Sequence, residues 1–92
     1  MEYFEWHKEK AELNFKKHNV SFEEAKTVFN DPLGLHKSDD AHSIGEERSY
    51  IIGNSNKNRL LVVSFTERRK YIRIITARLA TKNERKYYEN QG

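Results

Sequence analysis

Three runs of aliphatic and aromatic residues, each bounded by turn-forming residues, occupy residues 48–53, 59–67 and 71–79. They are rich in Ile, Val, Leu, Tyr and Phe, which favour β-strands. The connections between them, residues 54–58 and the basic residues 68–70, are short. Because short connections join strands that run in opposite directions, the second half of the chain is predicted to form an antiparallel β-meander.

Two helices are predicted ahead of this meander. Residues 8–18 form the first, and Asn19 follows as a residue type that tolerates the left-handed backbone of a helix end. Ser21 and Glu24 have the spacing of a capping box and begin the second helix. Its apolar face consists of Phe22, Ala25, Val28 and Phe29.

The remaining segments complete the predicted fold. Thr81 and Glu84 repeat the capping-box spacing and begin a C-terminal helix, while residues 3–6 and 33–37 are further strand candidates. The fold class is therefore α+β, with a small antiparallel sheet of three to four strands plus a short N-terminal strand. Two N-terminal helices and one C-terminal helix are expected to pack on it. Without a linker or repeat, residues 1–92 are expected to form a single domain.

The charge of the chain is divided between its halves. Residues 1–47 carry six Lys against eleven Asp and Glu, a formal −5, whereas residues 48–92 carry eleven Lys and Arg against three Glu, a formal +8. A folded surface with this cationic excess suits a polyanion, because each phosphate contact releases condensed counterions. The acidic charge of the helical half argues against a helix-turn-helix that enters a DNA groove.

Several function classes are excluded by what the sequence lacks. The absence of Cys removes disulfides, thiolate zinc sites and Cys nucleophiles. No Gly-rich phosphate loop or Ser nucleophile motif occurs. No segment approaches the length of a membrane span, and the N-terminus does not resemble a secretion signal, so we expect no membrane association and a cytoplasmic location.

The last predicted strand carries Arg73 and Arg78. Residues five apart lie on opposite faces of a regular strand, unless a bulge or the strand end near Ala77 intervenes. The row better suited to the core consists of Ile72, Ile74 and Thr76. Arg73 would then share the open face with Tyr71, an arrangement suited to RNA. A solvated strand face gives the same alternation, and spacing alone favours that interpretation.

Residues 39–48 contain one imidazole, four carboxylates and one guanidinium. His42 is suited to general acid–base catalysis near neutral pH, and Glu46 or Glu47 to proton transfer or to orienting Arg48. Asp-x-x-His without a second His or Cys is a weak metal signature, so no metal site is predicted. An exposed connecting loop is the alternative interpretation, and composition alone favours it.

Several segments, taken in order, resemble the BrnT family of bacterial toxins. The matching residues are Phe4-Glu5-Trp6, Lys10-Ala11, Asn14, Lys17-His18-Asn19-Val20-Ser21-Phe22-Glu23-Glu24-Ala25, Phe29-Asn30-Asp31-Pro32-Leu33, Asp40, His42, Gly45-Glu46-Glu47-Arg48, Thr66-Glu67-Arg68, Ile72-Arg73-Ile74-Ile75-Thr76-Ala77-Arg78, Ala80-Thr81, Glu84, Arg85 and Tyr88. Two departures are visible: His7 stands where the family usually has Asp, and Asn19 where it usually has Gly. The first replaces the Asp carboxylate that would cap the first helix.

The resemblance implies a small α+β ribonuclease of the RelE-like toxin superfamily that cuts RNA, slows translation and arrests growth. Its expected partner is a BrnA-type antitoxin with a ribbon–helix–helix DNA-binding segment. The complex would repress its own operon, so the toxin would meet DNA only indirectly, through that complex. No cofactor is expected.

Metal-free RNA cleavage needs a base for the 2′-hydroxyl, an acid for the leaving oxygen and cations for the developing phosphorane charge. We expect Arg73 and Arg78 to contact phosphate, with Arg48 in support. Either His42 or Glu46 is the expected proton-transfer group, with Glu67 as a reserve. The expected RNA-binding residues are Arg48, Arg68, Arg69, Lys70 and Tyr71.

Two alternatives stay open from the sequence. A non-catalytic RNA-binding module shares the basic surface but needs no proton-transfer groups. A protein-interaction domain would use the same surface to dock an acidic partner.

Overall fold

Five strands form one sheet in the computed structural model, which describes residues 3–42 and 45–91. The strands are β1 (Tyr3–Glu5), β2 (Leu35–Ser38), β3 (Ser49–Asn54), β4 (Leu60–Arg68) and β5 (Tyr71–Leu79). The helices are α1 (Lys8–His18), α2 (Phe22–Thr27) and α3 (Lys82–Glu89), with short 3-10 helices at Val28–Asn30 and Asp40–His42. The predicted α+β class is confirmed. No described helix has the length and apolar character needed to cross a membrane.

The strand order is β1-β5-β4-β3-β2. Neighbours from β2 to β5 are antiparallel, which confirms the predicted meander. In contrast, β1 runs parallel to β5, with Tyr3 opposite Tyr71. The sheet is therefore mixed rather than purely antiparallel as predicted. Most of the chain separates β1 from β5, and a connection of that length allows a parallel pair that a short turn does not.

A β-bulge interrupts β5. Phe65 pairs with Ile74, whereas the preceding Ser64 pairs with Thr76, so Ile75 is an extra residue with no partner in the ladder. One extra residue reverses the side-chain alternation of the strand beyond it.

The bulge changes which residues of β5 reach the core. Ile72 and Ile74 are buried as predicted, but the next buried residue is Ala77, and Thr76 is exposed. The predicted core row was therefore wrong at Thr76, because it assumed a regular strand.

The main core lies between the sheet and the helices α1 and α2. Its buried residues are Val20, Phe22, Ala25, Val28, Ile51, Leu61, Val63, Phe65, Ile72, Ile74 and Ala77. A smaller cluster of Ile52, Leu60 and Val62 lies on the other face of the sheet, where Ala80 and Tyr88 pack against it. The helix α3 thus covers one end of this second face, which we call the open face.

The edge of β5 beyond β1 is covered by a side chain. Asn14 of α1 is buried and donates to the carbonyl oxygens of Ala77 at 2.8 Å and Val20 at 3.0 Å, and it accepts from the Ala77 amide at 3.1 Å. Because buried backbone groups need partners, this amide takes the place of a neighbouring strand. The apolar residues Leu13 and Phe15 of the same helix are exposed.

The helix ends follow the predicted signals with one exception. Asn19 ends α1 with φ 58°, and the Ser21 hydroxyl accepts from the Glu24 amide at 3.0 Å to begin α2. His7, before α1, makes no side-chain cap hydrogen bond. The Glu24 carboxylate does not complete a capping box with Ser21, since it binds Arg59 instead.

Candidate functional site

Arg73 and Arg78 lie on the same face of the sheet. Because Ile75 is an extra residue, the five-residue spacing spans four positions of the ladder, and both side chains alternate onto the open face. Four strand positions correspond to roughly 13 Å along the sheet. A regular strand would have placed Arg73 and Arg78 on opposite faces. The strand contains the bulge that was considered as the alternative, so they lie on the same face.

The guanidinium of Arg73 does not use all of its hydrogen-bond donors. It pairs with Glu5 across the β1–β5 ladder, with Nη2 3.3 Å from Oε2. Its Nε and the Thr66 hydroxyl, on directly opposed residues of β5 and β4, are buried and have no hydrogen-bond partner within the described part of the chain. Buried polar atoms without partners are uncommon in folded proteins, so two neighbouring ones mark a local polar site beside the partly exposed guanidinium of Arg73.

A carboxylate stands beside this pair. Arg68 donates to Glu46 from Nε at 2.6 Å and from Nη2 at 3.2 Å. The pKa of Glu46 lies below its usual value, chiefly because of these hydrogen bonds and additionally because of the charges of Arg68 and Arg73. The nearby Thr66 hydroxyl also helps to lower the pKa of Glu46, although the two groups are not aligned well enough for a hydrogen bond. Glu46 is therefore an ionised proton acceptor at neutral pH.

A cavity of about 430 Å³ lies further along the open face. Arg48 and Arg78 both line it, together with Asp39, Tyr50 and Glu84. The structure thus places Arg48, the expected supporting residue, beside Arg78, whereas Arg73 does not line this cavity. Each phosphate bound there would meet a guanidinium in a partly enclosed setting, where charge interactions are stronger than in bulk water.

Arg78 is oriented by a two-point ion pair with Glu84, at 2.7 Å for Nη1 to Oε1 and 2.9 Å for Nη2 to Oε2. Glu84 also completes the predicted capping box of α3 with Thr81. The hydrogen bonds from Arg78 are the main reason that the pKa of Glu84 falls from 4.5 to about 2. This ion pair therefore fixes both the start of α3 and the Arg78 side chain.

We expect Glu84→Gln to lower the free energy of unfolding at pH 7 by about 1 kcal/mol, because it removes the charge that pairs with Arg78, whereas the Gln side chain can still accept from the Thr81 amide. The folded-state pKa is depressed, so the contribution is complete above pH 4.5 and is lost as pH falls towards 2. Urea denaturation at pH 7 and at pH 3 measures this, with the exposed Glu89→Gln as control. A variant that equals the unmodified protein at pH 7 would contradict it.

Other expected site residues lie elsewhere. Glu67 follows Thr66 in β4, so its side chain alternates to the face opposite Arg73, and it lines a separate cleft near the β4–β5 turn. Arg69 and Lys70 form that turn and line the same cleft. His42 ends a 3-10 helix in the loop that carries Glu46, but its side chain lies outside the described part of the structure.

Sequence reasoning missed the acidic partners and two cleft residues. Glu5 and Glu84 pair with the two Arg side chains on the open face. Glu84 could be recognised from its capping-box spacing. The Glu5–Arg73 pair could not, because it joins two strands that are far apart in the sequence and leaves no local pattern. The cleft residues Tyr3 and His36 come from β1 and β2, which only the tertiary fold brings to the β4–β5 turn.

Within the described residues, no group of three His, Cys, Asp or Glu side chains is placed to hold a metal ion.

Comparisons with known proteins place the chain among toxins. The family described as "Ribonuclease toxin, BrnT, of type II toxin-antitoxin system" matches residues 6–84. The crystal structure of the Brucella abortus ribonuclease toxin BrnT is similar, with a TM-score of 0.65 and 19% sequence identity over 89% of this chain and 100% of that chain. At this identity the structural likeness shows the shared fold. No curated protein sequence matches the chain.

Proposed function

The chain belongs to the BrnT family of ribonuclease toxins of type II toxin–antitoxin systems, and we propose that it cuts RNA on the open face, without a metal ion. Its target class is RNA and its partner is an antitoxin, as the family implies. The observation that carries the proposed site is the pair of unsatisfied donors, Arg73 Nε and Thr66 Oγ1, next to the ionised Glu46. A phosphate there would accept from the partly exposed guanidinium of Arg73 while its ribose lies near a base.

The reaction that fits these groups is transfer of the phosphate to the neighbouring 2′-oxygen. Glu46 takes the proton of the 2′-hydroxyl, whose oxygen then attacks phosphorus. The bond to the 5′-oxygen breaks, and His42 supplies the proton to this leaving oxygen. Arg73 holds the extra negative charge of the phosphorane. The products are a 2′,3′-cyclic phosphate and a free 5′-hydroxyl.

The other cations of the open face are proposed to hold the strand on either side of the reacting phosphate. Arg78 stands four ladder positions, roughly 13 Å, from Arg73 along the sheet, a distance that suits a further phosphate of the same strand, and Arg48 lines the same cavity as Arg78. Arg68 holds Glu46 in place through its two hydrogen bonds.

The proposal extends to the biological setting. We expect the antitoxin to be of the BrnA type and to carry the DNA-binding segment, so that DNA is met only through the complex. We also expect a cytoplasmic location, where RNA and the antitoxin are both present. Production of the toxin without its antitoxin should slow translation and arrest growth.

We expect the purified protein to cleave single-stranded RNA in the presence of EDTA and to leave 2′,3′-cyclic phosphate ends. Gel analysis of a labelled transcript, followed by end-group analysis by mass spectrometry, measures both. Cleavage that needs an added divalent cation would refute the metal-free reaction. RNA that stays intact but binds with steep salt dependence would favour a non-catalytic RNA-binding module instead.

A further inference from the structure

A second polar cleft lies at the end of the sheet, next to the β4–β5 turn. Its volume is about 290 Å³, and it is lined by residues of four strands and this turn. Tyr3, Glu67 and Tyr71 line it from three of these strands. The row of Arg73 and Tyr71 on β5 leads from the open face to this cleft. A strand of RNA held on the open face can therefore continue into it.

Two of the residues that line the cleft, Tyr3 and Tyr71, form an exposed aromatic pair. The rings of Tyr3 and Tyr71 lie 6.3 Å apart between centroids with an interplanar angle of 56°, and both residues are about half exposed, at 55% and 50%. Exposed aromatic side chains contribute little to the core. They do provide faces on which an unpaired base can stack, since every base has a π-face.

The turn beside these rings contains an Arg in a backbone conformation that Arg rarely adopts. Arg69 and Lys70 are the two residues between β4 and β5, and Arg69 has φ 40°. Two-residue hairpin connections favour Gly, Asn or Asp, because they need such positive φ values. Neither Arg69 nor Lys70 makes an ion pair with a residue that the structure describes. Arg69 and Lys70 are poor turn formers and have no ion-pair partner among the described residues. We therefore expect their positive charges to serve binding rather than stability.

The floor of the cleft offers polar groups in a fixed setting. The His36 ring is held edge-on by Phe29 at 6.2 Å and Phe65 at 6.1 Å between centroids. Glu67 presents an exposed carboxylate from β4. A carboxylate accepts hydrogen bonds, so it favours the exocyclic amino groups of adenine, cytosine and guanine over uracil, whose one ring donor, N3–H, lies between two carbonyl oxygens that repel a carboxylate.

We infer that this cleft binds one unpaired nucleotide of the RNA next to the cleaved phosphate, with its base on Tyr71 and Tyr3 and its phosphate at Arg69 and Lys70. Glu67 selects an amino-bearing base. The inference rests on the proposed function, because it takes RNA as the substrate, but it places this nucleotide outside the reacting groups.

The test uses a short single-stranded 2′-O-methyl oligoribonucleotide with one 2-aminopurine, which lacks the attacking hydroxyl and loses fluorescence when it stacks. We expect quenching with the intact protein. Tyr71→Ala should abolish it and weaken binding roughly 5- to 100-fold. The control Tyr87→Ala removes an exposed tyrosine of α3 and should leave the quenching unchanged. Quenching that persists in Tyr71→Ala would overturn the inference.

The charge of the turn is tested with a matched pair of double variants. Arg69→Gln/Lys70→Gln should reduce the slope of log affinity against log salt by about 0.7, the value for one neutralised single-strand phosphate. Arg85→Gln/Lys86→Gln makes the same charge change on exposed positions of α3 and should leave the slope nearly unchanged. Equal slopes for the two double variants would overturn the phosphate assignment.

Base selection is tested by comparing oligonucleotides that carry adenine or uracil in place of the probe. The intact protein should prefer adenine, and Glu67→Gln should narrow that preference, because the amide also donates.

These binding results separate the two proposals. Quenching without any cleavage of unmodified RNA would refute the proposed reaction and support the cleft. Normal cleavage with neither quenching nor a preference for amino-bearing bases would refute the cleft alone.

Discussion

We expect Arg73→Gln to lower the rate of RNA cleavage by roughly 100- to 1000-fold, the loss typical for one donor to a developing negative charge. The substitution removes the guanidinium whose Nε lies unsatisfied beside Thr66. The side chain is partly exposed and pairs with Glu5 at 3.3 Å, so the fold should tolerate its loss. Single-turnover cleavage of a labelled transcript measures the rate, and urea denaturation confirms that the variant is folded.

The control for this result is Arg85→Gln, which makes the same charge change at an exposed position of α3. Arg78→Gln gives a second comparison, because its proposed contact is to a neighbouring phosphate. It should raise KM more than it lowers kcat, whereas Arg73→Gln should mainly lower kcat. Full cleavage activity in both Arg73→Gln and Arg78→Gln would show that the site assignment is wrong.

The second large effect concerns stability. We expect Arg59→Met to lower the free energy of unfolding by about 3–4 kcal/mol, because it leaves a buried carboxylate without its cation. The Glu24 side chain is 2% exposed and accepts from Arg59 Nε at 3.0 Å, from Arg59 Nη2, and from the Ser55 hydroxyl at 2.6 Å. Arg59 also donates to the Asn19 carbonyl at 3.0 Å, so it ties the β3–β4 connection to the end of α1. Urea denaturation at pH 7 measures the loss.

The pH dependence of this loss identifies its cause. Hydrogen bonding from Arg59 holds the pKa of Glu24 below its usual 4.5, against the opposing effect of burial. The intact protein therefore loses this contribution as pH falls below 4.5, while Arg59→Met gains stability as Glu24 is neutralised. The difference between the two should narrow at acid pH. The double variant Glu24→Leu/Arg59→Met should recover much of the stability, and a loss below 1 kcal/mol in Arg59→Met would contradict the argument.

Much of the fold follows from the sequence because its signals are local. The meander is written in three strand-forming runs, and β5 occupies the predicted residues 71–79. The α1 helix begins and ends as expected, with Asn19 in the left-handed conformation at φ 58°. The capping box that begins α3 is also present. Strand propensity, helix capping and turn geometry depend on a few neighbouring residues, so these features can be recognised in the sequence alone.

The first helix shows where local reasoning stops. In α1 the apolar Leu13 and Phe15 are exposed, while Asn14 is buried against the edge of β5. An amide suits that position only because β1 ends early and leaves the Ala77 backbone groups without a strand partner. Neither the length of β1 nor the approach of α1 can be read from the residues around Asn14.

The sequence alone determined the α+β class, the cationic second half and the Arg side chains that the family resemblance points to. Only the tertiary structure decided how these groups are placed. The extra residue at Ile75 turns Arg78 to the face of Arg73, and the parallel pairing of β1 brings Glu5 and Tyr3 to β5. A bulge is set by the register between two strands, and a parallel pairing joins residues far apart in the chain. Both depend on contacts that no short window of sequence contains.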